Sequence, residues 1–215
     1  MKIAILGGAG ELGTGLALNW ARQGHDIVIG SRSKEKAESF AQEMKVKFGD
    51  IHLEGKENIE AIKGASLVVL AIPGVGRKPF LESIRLELDG KVVLDVTIPL
   101  KPGKIFLYDP PGAGSNAQET QDILGDRVKV VAGFHTVSAG LLKMEGGVPS
   151  EHVLIVGNDE GAKEIVISLI EEMGMRGFDA GPLAFAPVIE GLTPMIINLN
   201  KKYKRKHIGI RLSGI

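Results

Sequence analysis

The sequence of 215 residues contains no cysteine, few aromatic residues (5%) and no excess of either charge, with 26 Lys and Arg against 26 Asp and Glu. The absence of cysteine excludes disulfides, thiolate nucleophiles and cysteine-ligated metals. The balanced charge gives no overall field that would attract nucleic acid or a membrane surface. No apolar run is read as long enough for a membrane span or a signal peptide. We therefore expect a cytoplasmic protein without nucleic-acid or membrane partners.

What the sequence does contain is a short apolar strand, residues 3–6, that leads directly into a glycine-rich turn and a helical pattern. The turn reads Gly8-x-Gly10-x-x-Gly13, which predicts a dinucleotide site when it lies between a strand and a helix. We expect Gly8 to allow the turn, Gly10 to let a pyrophosphate approach the backbone, and Gly13 to let the helix pack on the strand. The N–H groups at the start of that helix would face the anion. The alternative is a tight turn that binds no nucleotide.

The end of the second strand, residues 27–29, indicates which dinucleotide is bound. An NAD-binding chain carries an acidic residue about 20 residues after the glycines, where it accepts a hydrogen bond from the ribose 2′-hydroxyl. Ser31, Arg32 and the nearby Lys36 stand there instead, and this set suits the 2′-phosphate of NADP. In the alternative interpretation, Ser31 or Ser33 only caps the next helix and the basic side chains are solvated. The two interpretations are compatible.

Six short apolar strands alternate with helical patterns over the first 135 residues. This alternation predicts an α/β fold with a doubly wound Rossmann-type parallel sheet. We expect residues 1–135 to form the NADP-binding domain. A smaller C-terminal α/β region, residues 136–215, would close the second-substrate pocket and contribute to a dimer contact. Residues 98–114, rich in Pro and Gly, predict a long loop over the sheet edge. Asp95, at the tip of a central strand, is either a catalytic carboxylate or an acceptor of loop N–H groups, and we favour the second.

The last third of the chain has a different character. A strand at residues 153–157 and a helix at 160–173 precede an apolar helical stretch, residues 188–199. Thr193 and Pro194 form a cap and first-turn pair that is predicted to interrupt or restart this helix. The stretch is too apolar for a solvent-facing tail, so we expect it to pack on the first domain, on a second subunit, or on both.

Several stretches together carry a resemblance that covers nearly the whole chain. The sequence resembles the NADPH-dependent coenzyme F420 reductases (F420:NADP oxidoreductases) at residues 1–10, 29–38, 134–137, 157–160 and 192–210. The C-terminal stretch is the most specific, because any Rossmann protein supplies the N-terminal ones. The resemblance implies a small homodimeric enzyme that moves a hydride between the nicotinamide of NADP and C5 of the deazaflavin coenzyme F420.

The resemblance also implies roles for individual residues. Around NADP it places Gly8, Ala9, Gly10, Glu11, Leu12 and Gly13 at the glycine turn, Ser31, Arg32 and Lys36 at the 2′-phosphate, and Ala71, Ile72 and Pro73 at the nicotinamide. The deazaflavin side would be lined by His135, Thr136, Val137 and Ser138. His135 would orient the ring, and its alternative is an ordinary buried histidine after a strand.

We recognise no catalytic triad, carboxylate pair or metal cluster in the sequence, and we predict no metal. This agrees with direct hydride transfer between two stacked rings, which needs alignment and exclusion of water more than an acid or a base. Two alternatives stay open at this point. One is an NADP-dependent reductase of another acceptor, such as a flavin, a ferric chelate or an imine. The other is a non-catalytic NADP-binding sensor of redox state.

Overall fold

The computed structural model describes residues 1–49, 51–143 and 151–215. The strands in these ranges are β1 (Lys2–Leu6), β2 (Asp26–Ser31), β3 (Leu53–Glu57), β4 (Leu67–Leu70), β5 (Val92–Asp95), β6 (Leu100–Lys101), β7 (Leu107–Tyr108), β8 (Lys129–Ala132), β9 (His152–Gly157) and β10 (Arg176–Asp179). The helices are α1 (Glu11–Arg22), α2 (Lys34–Phe48), α3 (Asn58–Ile62), α4 (Arg77–Ile84), α5 (Asn116–Leu124), α6 (Ala139–Leu142), α7 (Glu160–Glu172) and α8 (Ala186–Lys202). Short 3₁₀ turns occur at Arg85–Leu88 and Leu183–Phe185.

Eight of these strands form one sheet in the order β10-β9-β8-β5-β4-β1-β2-β3. The predicted α/β class and Rossmann-type sheet are confirmed, and all six strands expected in the first 135 residues are present. Strands β1, β2, β3, β4, β5 and β8 pair in parallel, whereas β9 pairs with β8 in antiparallel orientation. A parallel return needs a long crossover, usually a helix. Between β8 and β9 the described residues form only the four-residue α6.

The central strands are apolar on both sides because helices cover both faces of the sheet. Strands β4 and β5 are buried at every residue. One core cluster includes Ile3, Trp20 and Phe134, and the other, on the opposite face, includes Ala4 and Val68. Alternate residues of β1 therefore enter different cores, as the period of two in a strand requires.

Two expectations for the loops and the C-terminal helix are wrong in part. Residues 98–114 are not an unbroken loop, because β6 and β7 form a short antiparallel hairpin. Helix α8 runs without interruption through Pro194, which lies buried inside it. Thr193 does not cap a new helix there. Its hydroxyl donates a hydrogen bond to the carbonyl oxygen of His135 at 2.5 Å.

The expectation that no segment is long enough for a membrane span is also wrong by length and composition. The helical stretch Leu183–Lys202 has 20 residues and contains an 18-residue window with a mean hydropathy of 1.3, of which 33% is buried, so by length and composition alone it could cross a membrane. Its Glu190 and Asn198 side chains bond to the backbone of residues 116, 117 and 106. Two apolar residues of α8, Ala186 and Ile189, also belong to the core cluster that contains Ala4 and Val68.

Strands β9 and β10 extend the same sheet as the first six strands. The division of the chain into residues 1–135 and 136–215 stays a prediction.

Candidate functional site

The residues expected to bind NADP lie at one edge of the sheet, where the parallel strands have their carboxyl ends. This is the edge at which open α/β sheets bind ligands. The ends of β2, β1 and β4 surround a cavity of about 370 Å³. The predicted residues that line it are Ala9, Ser31, Arg32, Lys36, Ile72 and Pro73, and further lining residues are Gly7, Ile29, Gly30, Ala37, Phe40, Asn58, Val75, Gly76, Arg77 and Phe80. The other predicted NADP residues, Gly8, Gly10, Glu11, Leu12, Gly13 and Ala71, are not part of this lining.

The glycine turn has the predicted shape, but one glycine has a different part in it. Gly7, not Gly8, has the left-handed backbone that favours glycine, with φ +80°. A Cβ on Gly7 would lie 2.5 Å from the carbonyl oxygen of Ala71. Gly8 instead leaves room for Ile29, whose Cδ1 would be 2.6 Å from an added Cβ. The packing expected of Gly13 is confirmed, because its Cβ would lie 2.7 Å from the Gly8 Cα.

The start of α1 is open to an anion. Gly10 is the N-cap residue and offers no side-chain hydrogen bond to the first turn. The free N–H groups and the positive end of the helix dipole therefore favour negative charge at this point. Glu11 would oppose such a charge, but it is exposed and forms an ion pair with Lys143 at 2.7 Å. Thr14, which the sequence did not single out, donates a hydrogen bond to the carbonyl oxygen of Gly8 at 3.1 Å.

The end of the cavity beside β2 carries the positive charge. Ser33 caps α2 by accepting a hydrogen bond from the Lys36 N–H at 3.3 Å, so the capping interpretation is right for this serine. Ser31, Arg32 and Lys36 remain at the cavity, and the last two are exposed. Neither belongs to an ion pair within the described ranges, which leaves both cations available to a ligand.

The opposite end of the cavity, beside β4, extends beyond the predicted Ile72 and Pro73. Helix α4 begins at Arg77, and Val75, Gly76 and Arg77 all line the cavity. Arg77 is 3% exposed, and its guanidinium donates a hydrogen bond to Asp95 at 2.7 Å. Asp95 also accepts the Thr97 N–H at 2.9 Å, so the favoured interpretation of Asp95 as an acceptor of loop N–H groups is confirmed.

His135 lies at the same edge, just after β8, and is 3% exposed. Its Nε2 is 3.2 Å from the carbonyl oxygen of Thr97, and since a carbonyl only accepts, Nε2 carries the proton. Burial lowers the pKa of His135 to about 4, although the negative charge of Asp95 opposes this. The imidazole is therefore neutral near pH 7, and Nδ1 has a free lone pair. Nδ1 is buried and has no hydrogen-bond partner in the described structure.

The residue before His135 has an uncommon backbone. Phe134 adopts φ +66°, the left-handed region that side chains rarely occupy. Its ring is buried and packs edge-to-face on Trp20, with ring centroids 6.1 Å apart. Such conformations cost about 1–3 kcal/mol and often occur at functional sites. Packing of the Phe134 ring in the core holds this turn in place and so fixes the backbone position of His135.

The other residues predicted for the deazaflavin side differ in exposure. Thr136 is buried, and its hydroxyl is 3.4 Å from the carbonyl oxygen of His152. Val137 is 9% exposed, and Ser138 is half-buried with its hydroxyl 2.8 Å from His207 Nδ1. In the part of the chain that the structure describes, no group of three or more His, Asp or Glu could hold a metal ion.

Comparison with known proteins gives a consistent result. The family model described as NADP oxidoreductase, coenzyme F420-dependent, matches residues 2–99. The F420-dependent NADP reductase of Methanocaldococcus jannaschii is 38% identical, and the alignment covers 100% of this chain and 99% of that protein. The corresponding reductase of Methanothermobacter marburgensis is 36% identical with the same coverage. A crystal structure of a candidate F420-dependent NADP reductase from Arthrobacter sp. FB24 is similar with a TM-score of 0.85, 27% identity and 99% coverage of both chains. The chain therefore belongs to the family of F420-dependent NADP reductases.

Proposed function

We propose that this chain is an oxidoreductase that transfers a hydride between NADP(H) and the deazaflavin coenzyme F420. The observation that carries the proposal is the basic end of the edge cavity in a chain whose relatives, matched over their full length, are named F420-dependent NADP reductases. These relatives disfavour the alternatives of another acceptor or a non-catalytic sensor.

NADP fits the cavity by the order of the strands along the edge. Since β1 lies between β2 and β4, a dinucleotide bound across this edge would extend from the end of β2, past β1, to the end of β4. Arg32 and Lys36 would hold the 2′-phosphate at the β2 end, with Ser31 as a hydrogen-bond donor. The start of α1 would receive the pyrophosphate. The nicotinamide would then lie at the β4 end, beside Ile72 and Pro73.

For the deazaflavin, we propose that the partner is the free lone pair of His135, a buried residue that is not among those lining the edge cavity. The pyrimidine part of such a ring carries an imide N–H, which is a donor for a neutral imidazole nitrogen. His135 Nδ1 is a buried acceptor without a partner, and such atoms are costly unless a ligand pairs with them. Thr136, Val137 and Ser138 follow it in the chain and would complete this side of the site.

The reaction moves one hydride from NADPH to C5 of the deazaflavin and takes one proton from solution. When both substrates are bound, the two rings supply the chemistry. The protein residues bind the two ligands, exclude water and set the distance between the reacting carbons, which has to be about 3–3.5 Å. A neutral His135 suits this task because it orients a ring without donating a proton.

The direct test mixes purified protein, NADPH and oxidised coenzyme F420 and follows the loss of deazaflavin absorbance, with NADH measured in parallel. The proposal predicts rapid loss with NADPH and little with NADH. Tight NADPH binding without loss of absorbance would support the NADP site but would indicate that the enzyme reduces an acceptor other than coenzyme F420. Equal rates with both nucleotides would contradict the 2′-phosphate site.

We further propose that the enzyme is a cytoplasmic homodimer that contacts neither membrane nor nucleic acid. Support for the dimer comes from exposed apolar side chains on α8 and on the β6–β7 hairpin. Val188 is 62%, Met195 48% and Ile105 62% exposed. Sedimentation of the wild type and of Met195→Glu tests the dimer. A dimer that the substitution dissociates supports it, and a monomeric wild type rejects it.

A further inference from the structure

The loop between β4 and α4 is exposed, yet it ends on a deeply buried side chain. The loop comprises residues 71–76; its last three, Gly74, Val75 and Gly76, are exposed, and Val75 is 95% exposed. Arg77 follows directly and is 3% exposed. Its N–H donates to the carbonyl oxygen of Gly74 at 3.2 Å, which closes the loop as a turn. The position of the loop therefore depends on what holds Arg77.

The guanidinium of Arg77 is held from two directions. One amino group donates to Glu119 at 2.6 Å. The other donates to the Asp95 carboxylate at 2.7 Å and to the carbonyl oxygen of Asn116 at 2.5 Å, and it also contacts the Thr120 hydroxyl. A planar guanidinium with several donors fixes direction as well as distance, which a lysine ammonium does not.

Asp95 connects this loop to the opposite side of the site. One of its carboxylate oxygens accepts from Arg77, and the other accepts the Thr97 N–H at 2.9 Å and the Thr97 hydroxyl at 2.6 Å. The carbonyl oxygen of Thr97 then accepts from Nε2 of His135 at 3.2 Å. A continuous series of hydrogen bonds thus runs from the exposed loop, through the fully buried Asp95, to His135.

We propose that Arg77 and Asp95 are positioning residues for hydride transfer, because they set the distance between the loop at the nicotinamide end of the cavity and His135. This inference rests on the proposed function, in which those two features hold the donor and the acceptor ring. A displacement of about 1 Å between reacting groups lowers a transfer rate about 100-fold. Neither residue needs to touch a ligand to have this effect.

The test compares Arg77→Lys and Asp95→Asn with the wild type. Lysine at position 77 retains the positive charge but loses the planar guanidinium with its several donors. Asparagine at position 95 retains the size of the side chain but loses the negative charge of the ion pair. Both variants are expected to transfer hydride about 10- to 100-fold more slowly in a single turnover, with a larger isotope effect from deuterated NADPH. Binding of 2′,5′-ADP, which occupies only the β2 end of the cavity, should stay within about twofold, because the residues there are unchanged.

Two controls separate positioning from stability. Arg127→Lys alters an exposed Arg–Asp pair with Asp89, 2.9 Å long, and should change nothing. Met44→Ala removes a buried side chain of α2 from the core, and Met44 neither bonds to the Arg77–Asp95–Thr97 series nor lines the cavity. It should lower the melting temperature without changing the isotope effect. If Arg77→Lys and Asp95→Asn lose stability but transfer hydride at the wild-type rate and isotope effect, the proposal is wrong.

The emission of bound NADPH, measured without an acceptor, keeps the result independent of coenzyme F420. The nicotinamide fluoresces, so its emission reports its surroundings. Arg77→Lys is expected to change that emission while 2′,5′-ADP binds as before. If the wild type does not reduce coenzyme F420, the proposed function fails, and this measurement still decides the position of the loop. An unchanged emission would overturn our assignment.

Discussion

Glu190 carries a buried carboxyl group whose titration should make the protein less stable as the pH rises from about 4.5 to about 7. It is fully buried in α8 and accepts the N–H groups of Asn116 and Ala117 at 2.9 and 3.0 Å. Burial raises the pKa of Glu190 to about 7, and the charge of Asp95 adds to this, although the two backbone hydrogen bonds oppose it. We therefore expect a native carboxyl that keeps its proton well above pH 4.5.

The size of the effect follows from the two pKa values. In the unfolded chain the carboxyl has an ordinary pKa of 4.5, against about 7 in the native protein. At about 1.4 kcal/mol per pH unit, the difference amounts to about 3 kcal/mol. Between these two pKa values the native state holds a proton that the unfolded chain has released. The free energy of unfolding therefore falls as the pH rises from 4.5 to 7, and the loss is complete above pH 7.

The assay is urea unfolding of the wild type and Glu190→Gln at pH 5 and pH 8, at one protein concentration. Glutamine cannot ionise, so subtracting the two proteins removes the titration of every other group. The stability of the variant relative to the wild type should rise by about 2–3 kcal/mol from pH 5 to pH 8. Glu164→Gln, an exposed change on α7, serves as the matched control and should give a constant difference. A constant difference for Glu190→Gln as well would refute the reasoning.

Three further predictions concern the edge of the sheet. Arg32→Ala should weaken NADPH binding by about 1.5–3 kcal/mol, which is the contribution of a charged hydrogen bond, and should barely change NADH binding. Fluorescence titration measures both affinities, and equal losses would contradict the 2′-phosphate role. His135→Ala should leave NADPH binding intact and slow transfer to the deazaflavin, so an unchanged rate in the absorbance assay would remove its orienting role. Gly7→Ala should lower the free energy of unfolding by more than about 1 kcal/mol, because φ is +80° and the Cβ would meet the Ala71 backbone. Gly74→Ala, with open space around it, is its control and should be nearly neutral.

The sequence was sufficient for the buried central strands because their signal is local, although it did not reveal the short β6–β7 hairpin. Apolar runs such as residues 3–6 and 67–70 are bounded by glycine, proline or charge, and both became fully buried or nearly fully buried strands. Ser31, Arg32 and Lys36 all line one cavity, and the signal that identified them was their spacing of about 20 residues after the glycine turn. A carboxyl edge is a consequence of topology, so its residues can be named before a structure is known.

Other features depend on contacts between distant parts of the chain, and the sequence could not reveal them. Gly7 rather than Gly8 has the positive φ, and the backbone of Ala71, which follows β4, leaves no room for a Cβ there. Thr193 bonds to His135, 58 residues away, so its neighbour Pro194 does not mark a helix start. A single acidic residue in an apolar helix was a signal for Glu190, since such a group must find buried partners.

The cluster of charged side chains around Arg77 is better explained by its effect on the position of the loops than by a contribution to stability. Arg77 faces two carboxylates, Asp95 and Glu119, and a third, Glu190, bonds to the start of the same helix α5. Burying charges costs about as much as their attraction returns, so packed apolar side chains would stabilise this volume equally well. Apolar side chains, however, cannot fix the direction of a loop as a guanidinium and a carboxylate do. Since the same Asp95 carboxylate holds both Arg77 and Thr97, shifting one loop must disturb the other, and this shared dependence is what the Asp95→Asn variant measures.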